Sequence, residues 1–198
     1  MPTLKTLLPQ VLACRLCEHA LPHGVRPVLQ ISRTATILIA GQAPGRRVHE
    51  TGIPFNDPSG DRLREWMGID RESFYDATKI AILPMGFCYP GTSANGDLPP
   101  RPECAPAWRK ALLAQLPKLQ LTLVLGQYAQ AYHLPSDAPS GKRGKQAVTD
   151  AVRDWKLYWP RQLPLPHPSP RNQLWLKKNP WFARQVLPAL RRRVSELV

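Results

Sequence analysis

The sequence predicts an α/β protein built on a parallel β-sheet with helices on both faces. Three observations carry this. Apolar runs of buried-strand length recur at Thr36–Ala40, Lys79–Met85 and Leu119–Leu125. Glycines 41, 86 and 126 close them in turn. Helix-period segments alternate with them, the pattern of a parallel sheet covered on both sides.

The elements follow in order. Leu4–Ala13 reads as a short amphipathic helix that delivers Cys14 and Cys17. Thr36–Ala40 is a strand feeding the tight loop Gly41-Gln42-Ala43-Pro44-Gly45. Ser59 is placed to N-cap a helix over Asp61–Met67. Lys79–Met85 is the second strand. Pro106–Leu116 is helical, with Leu112, Leu113 and Leu116 on one face. Leu119–Leu125 is the third strand and Gln127–Leu134 a helix. Pro139–Lys145 is a basic turn, Leu157–Leu165 holds a last short strand before His167, and Trp181–Leu197 is the final helix. No repeat or linker divides the chain, so residues 1–198 are expected to form one domain. Loops at the carboxyl ends of parallel strands are where ligands sit. The 41–45 and His167 loops both fall there.

Composition narrows the classes. With 198 residues and 43% hydrophobic content the chain can bury a sizeable core. No apolar run approaches the ~18–20 residues of a membrane span. The 23 prolines gather in Leu98–Pro106 and Pro160–Pro170, between periodic segments, which reads as long ordered loops. The formal charge is +13, from 27 Lys+Arg against 14 Asp+Glu. Such an excess points to a polyanionic partner. The start, MPTLKTLLPQ, has no signal-peptide layout, so a cytoplasmic protein with reduced thiols is expected. Nothing in the sequence calls for an oligomer, and a monomer is expected.

There are four cysteines: Cys14 and Cys17 in a C-x-x-C, then Cys88 and Cys104 with fifteen residues between them. Two close thiols and two distant ones suit one Cys₄ metal or cluster site assembled from separate loops. Tetrahedral zinc and two disulfides are the alternatives, and the spacing leans to a cluster.

Three segments carry chemistry. The 41–45 loop brings backbone amides close to a ligand. The stretch Thr51–Asp61 places Phe55, Asn56, Asp57 and Asp61 before a helix. Phe55 suits stacking on a planar ligand, and Asp57 suits orienting a water. His167-Pro168-Ser169-Pro170-Arg171-Asn172 is stiffened by two prolines and offers an imidazole, a hydroxyl and a guanidinium. A histidine so held can donate a hydrogen bond to developing negative charge.

Together these segments resemble the uracil-DNA glycosylase superfamily, from about Cys14 to Trp181. GQAPG at 41–45 resembles its first motif. HPSPRN at 167–172 is similar to the second motif of the single-strand-selective monofunctional uracil glycosylases. Gly52-Ile53-Pro54-Phe55, followed by Ser59-Gly60-Asp61, is similar to a stretch of the iron–sulfur subfamilies, whose cysteine pattern matches Cys14, Cys17, Cys88 and Cys104.

The resemblance implies a three-layer α/β/α sandwich with a four-stranded parallel sheet. It also implies a [4Fe–4S] cluster on the four cysteines and hydrolysis of the N-glycosidic bond of a flipped uracil in DNA. Phe55 would stack on the base, Gly41, Gln42 and Ala43 would line its pocket, and His167 would stabilise the leaving anion. Arg171 would act as a wedge into the duplex. This sequence departs from the pattern twice. Gln42 and Ala43 stand where many members place a carboxylate or amide for water activation, which leaves Asp57 as the nearest carboxylate. Ile80–Met85 lacks the base-reading asparagine usual on the second strand, and Asn56 and Asn95 are nearby in sequence. The alternative is therefore a member that binds DNA or a modified base without efficient excision. Candidate DNA contacts are Lys142, Arg143, Lys145, Ser169, Arg171, Lys177 and Lys178.

Overall fold

The structure is a computed structural model that describes residues 2–94, 96–135 and 145–198. Its centre is a four-stranded, all-parallel sheet in the order β2-β1-β5-β6. The strands are β1 (Ile37–Ala40), β2 (Ile80–Ile82), β5 (Leu121–Leu125) and β6 (Gln162–Leu165). A two-stranded antiparallel hairpin, β3 (Thr92–Ser93) and β4 (Gly96–Asp97), lies apart from it. The helices are α1 (Leu4–Leu12), α2 (Arg46–Thr51), α3 (Pro58–Met67), α4 (Arg71–Tyr75), α5 (Cys104–Leu113), α6 (Gly126–His133), α7 (Lys145–Arg153), α8 (Gln173–Lys178) and α9 (Leu187–Leu197).

Alternation along the strands sorts the core into layers. Ile37, Ile39, Ile80, Ile82, Leu121 and Leu123 pack on Leu63, Trp66, Val186 and Leu190. Leu38, Ala81 and Leu83 face the other way, onto Leu7, Val11, Leu112 and Leu116. Both faces of each strand are therefore buried, which is why the strands read as continuous apolar runs. Pro164 sits in β6, at the sheet edge, where a missing N–H costs no ladder bond. The α/β/α sandwich predicted from sequence is thus present.

Boundaries moved at several elements. Asp57, not Ser59, caps α3: its Oδ1 accepts from Gly60 N–H at 2.8 Å, and Pro58 takes the first helical turn. The last strand shortens to Gln162–Leu165, because a 3₁₀ turn occupies Trp155–Leu157. The final helix begins as a π turn over Phe182–Val186. Helices α2, α4, α7 and α8 and the β3–β4 hairpin were not foreseen. Most of the basic turn lies outside the described residues.

Candidate functional site

Sheet order sets the place. The chain leaves β1 for β2 at one edge, then passes back over β1 to β5. The carboxyl ends of β1 and β5 flank that reversal, where open α/β sheets bind ligands. A cleft of about 370 Å³ opens there, within the usual range for a small-molecule site. It is lined by Gly41, Gln42, Ala43, Phe55, Asp57, His167, Ser169 and Arg171, so three segments far apart in sequence meet. Ile82, Pro84 and Val28 supply apolar wall.

Each side chain is held by a definable device. Phe55 adopts φ 52°, the one non-glycine residue with positive φ among those described. Such strain persists only where surroundings impose it. Gly60 makes room for it, since a Cβ on that residue would lie 1.7 Å from the Phe55 carbonyl oxygen. The Phe55 ring meets Phe74 edge-on at 6.1 Å. Gln42 lines the cleft with its Nε2 already engaged, donating to Leu98 O at 3.0 Å. That bond fixes the first loop to the chain leaving β4.

The second loop is fixed at both ends. Asn172 Nδ2 donates to His167 O at 2.7 Å, and Arg62 of α3 donates to Ser169 O at 2.9 Å. Burial pushes the His167 pKa below the usual 6.5, while Asp57 and Asp97 pull it back upward. The imidazole is therefore neutral at neutral pH and can donate one hydrogen bond without carrying charge. The Arg171 guanidinium packs on Gly96, whose φ of 120° favours glycine.

Other sequence candidates fall elsewhere. Asn56 is half-buried, accepts from Arg71 at 3.0 Å and is not among the cleft-lining residues. Lys177 and Lys178 are exposed in the last turn of α8, and Lys145 begins α7. Lys142 and Arg143 lie outside the described residues. Sequence reasoning missed Asp97, which lines the cleft from the hairpin. The Asn95-Gly96 pair, a strong hairpin signal, could have flagged it. It also missed Arg109, which is 1% exposed and donates to the carbonyls of Leu83 and Pro84, each at 3.0 Å. That buried guanidinium fixes the chain where β2 enters the cleft wall. Its Nε also donates to His133 Nε2 at 3.0 Å. His133 is thereby an acceptor, and burial with the neighbouring guanidinium drives its pKa to about 3.

A second pocket brings all four cysteines together with Val11, Leu16, Leu21, Phe87 and Trp108. All four are free thiols, so no disulfide joins them. Two receive N–H donors. Trp108 Nε1 donates to Cys14 Sγ at 3.2 Å, and Phe87 N–H to Cys104 Sγ at 3.4 Å. Burial pushes the Cys88 thiol to about 11 and Cys104 to about 12, and raises Cys17 as well. Among the described residues no three His, Cys, Asp or Glu side chains group closely enough to hold a single metal ion. Four soft donors around one apolar pocket, with N–H groups aimed at sulfur, fit the donor chemistry of an iron–sulfur cluster.

Comparison with known proteins gives a family and a similar solved structure. The profile of the Uracil DNA glycosylase superfamily matches residues 30–191. A solution structure from Methanosarcina acetivorans, described as a candidate uracil DNA glycosylase, is similar at 16% identity with a TM-score of 0.47. The match covers 82% of this chain and 93% of that one. Among the described residues no helix is long and apolar enough to cross a membrane.

Proposed function

Because this chain belongs to the uracil DNA glycosylase superfamily, we propose that it hydrolyses the N-glycosidic bond of uracil, or a related deaminated base, flipped out of DNA. The observation that carries the reading is the meeting of the first loop, Phe55, Asp57 and His167 in one cleft. The base enters the cleft and lies against the Phe55 ring, already held in its strained conformation. Water adds to the anomeric carbon as the bond to the base nitrogen breaks, and the electron pair leaves with the base. His167 meets that anion as a neutral donor. A pre-positioned donor of this kind contributes about 3–4 kcal/mol, or ~10²–10³ in rate. Asp57 orients the water with the oxygen not used in capping α3. Arg171 stands at the rim, placed to fill the space left in the duplex.

DNA binding rests on the charge of +13. Lys145, Ser169, Arg171, Lys177 and Lys178, with Lys142 and Arg143, are the proposed phosphate contacts. The single-strand-selective likeness of the second motif makes single-stranded uracil a substrate to test beside duplex.

The cysteine pocket is read as the site of a [4Fe–4S] cluster held by Cys14, Cys17, Cys88 and Cys104. Four thiolates would complete the coordination of the irons, so the group would tie the N-terminal segment to the Cys88–Cys104 segment and take no part in the hydrolysis. Purified protein should absorb broadly near ~400 nm and contain about four irons. Stoichiometric zinc without iron would remove this assignment.

One observation favours a second reading, a member that binds without efficient excision. The strand β2 runs into Leu83 and Pro84, with no amide there to read the base. A single assay separates the two. Uracil-containing single- and double-stranded oligonucleotides are incubated with the protein and cleaved with alkali. Strand scission supports the glycosylase. Binding without scission on uracil, hypoxanthine or xanthine substrates supports the second reading.

A further inference from the structure

The cleft contains a second carboxylate, Asp97, which faces the same point as Asp57. The position an ideal Cβ would take on Gly45 lies 3.6 Å from Asp97 Oδ2 and 3.9 Å from Asp57 Oδ2. Gly45 has φ −81° and ψ 175°, an extended conformation open to any residue. Both distances are ordinary van der Waals contacts. Neither backbone strain nor a clash therefore requires glycine at this position. Gly45, Asp57 and Asp97 all line the cleft, so the missing side chain leaves cleft volume beside both carboxylates.

Both acids are anchored through their other oxygen. Asp57 Oδ1 accepts the Gly60 N–H at 2.8 Å. Asp97 Oδ1 accepts from the Thr92 hydroxyl at 3.2 Å. Thr92 in turn pairs with the Tyr89 hydroxyl. Tyr89 is 2% exposed, stacks on His23 at 5.1 Å and directly follows Cys88. Asp97 is thus positioned from a buried anchor although it lies on a short hairpin. Both acids also act electrostatically on His167, and all three line the same cleft.

We propose that the attacking water binds at the point above Gly45, donating one hydrogen bond to Asp57 and one to Asp97, and that Asp97 is the second catalytic carboxylate of this cleft. Two acceptors for the two O–H bonds leave a lone pair directed at the anomeric carbon. As the carbon–oxygen bond forms and the carbon–nitrogen bond breaks, the water proton passes to the carboxylate pair. The departing base carries the electron pair towards His167. This explains how Gln42 and Ala43 can stand in the first motif: the carboxylate comes from the hairpin instead. Thr92 is a positioning residue, acting through Asp97. The inference rests on the glycosylase reading above.

The test is single-turnover excision of uracil from oligonucleotides by wild type, Asp97→Asn, Gly45→Ala, Thr92→Val and Thr92→Ser, with DNA affinity and melting measured on each. Loss of a positioned acid–base group costs about 10²–10⁴ in rate. Asp97→Asn should lose at least about 10²-fold. Gly45→Ala should lose a comparable factor, because its methyl crowds the water out, while its melting falls no further than the exchange of a glycine N-cap on the six-residue α2 requires. Thr92→Val should lose roughly tenfold and Thr92→Ser should restore the rate, which follows from loss and recovery of one hydrogen bond. An active wild type whose Asp97→Asn and Gly45→Ala variants excise at full rate overturns the proposal and leaves the glycosylase standing. Variants that change which base is excised, at undiminished rate, also overturn it, and make Asp97 a base-reading group. A wild type inactive on every base removes the glycosylase reading and this inference with it.

Discussion

The cysteine pocket and the cleft are joined by one segment, Cys88–Cys104, whose ends lie in the first while Asp97 lies in the second. They treat polar groups in opposite ways. In the cysteine pocket apolar walls press on the thiols and raise Cys88 and Cys104 to about 11 and about 12. Those sulfurs become thiolates only when a cation compensates them. In the cleft, groups are held in place by hydrogen bonds before any ligand arrives: Asp57 by Gly60, Asp97 by Thr92, the His167 loop by Asn172. The first region keeps its thiols protonated in apolar surroundings. The second presents polar groups in fixed geometry, beside the strained Phe55.

Breaking the first region should have the largest effect on the whole molecule. Cys104→Ala removes a proposed ligand and its Phe87 contact, which lies at 3.4 Å. We expect iron content to fall and stability to drop by about 2–3 kcal/mol, a decrease of roughly 5–10 °C in Tm for this size. Unchanged iron and Tm would mean that the pocket holds no cluster. Breaking the second region should leave the fold alone. His167→Ala is expected to lose ~10²–10³ in single-turnover excision with DNA affinity retained. Equal rates for variant and wild type would sink the anion-stabilising role.

Gly60→Ala sharpens the contrast, since it attacks geometry and packing together. A Cβ 1.7 Å from the Phe55 carbonyl cannot be accommodated without moving that residue. The expected cost is about 1–3 kcal/mol of stability, with weaker base capture. Phe55→Ala should weaken capture alone. If both variants bind a uracil-containing strand as wild type does, Phe55 is not the stacking group.

Acid tests a third place, beside the cleft wall. His133 is held neutral with its pKa lowered to about 3. The unfolded chain takes up a proton near pH 6.5 that the folded one refuses. The stability contributed by the neutral form is full above 6.5 and is lost as pH falls towards 3, by up to about 1.4 kcal/mol per unit. Urea midpoints measured across that range should show the slope, and His133→Gln should reduce it, with His167, also held below 6.5, supplying part of what remains. The smallest expected effect is electrostatic. Lys177→Ala or Lys178→Ala should each reduce the slope of log K against log salt by roughly 0.9 on duplex DNA. A slope unchanged in both would move the phosphate track off α8.

Much of the fold was legible because its strands are buried on both faces. Ile37–Ala40 is apolar at every position and Leu121–Leu125 at every position but the buried Thr122, a signal that needs no partner to be read. Helices α2, α4 and α8, at five or six residues each, escaped because so short a helix has too few turns for a period to show. The site was legible where chemistry is concentrated in a few consecutive residues. Phe55, Asp57 and His167 stand in compact, proline- and glycine-marked motifs, and they do meet in one cleft.

By itself the sequence determined the α/β class, the parallel sheet, the strand ends that carry the site, and the superfamily, because burial pattern and local motif are written in neighbouring residues. Tertiary structure alone decided which groups share space. It gave Gln42 to the Leu98 carbonyl, turned Asp57 into a cap as well as a cleft residue, and set Asp97 beside Gly45, fifty-two positions away in the chain. It also gathered four cysteines into one apolar pocket. The physical reason is that charge placement and hydrogen-bond pairing depend on distances through space, and those are fixed only when the layers close on the sheet.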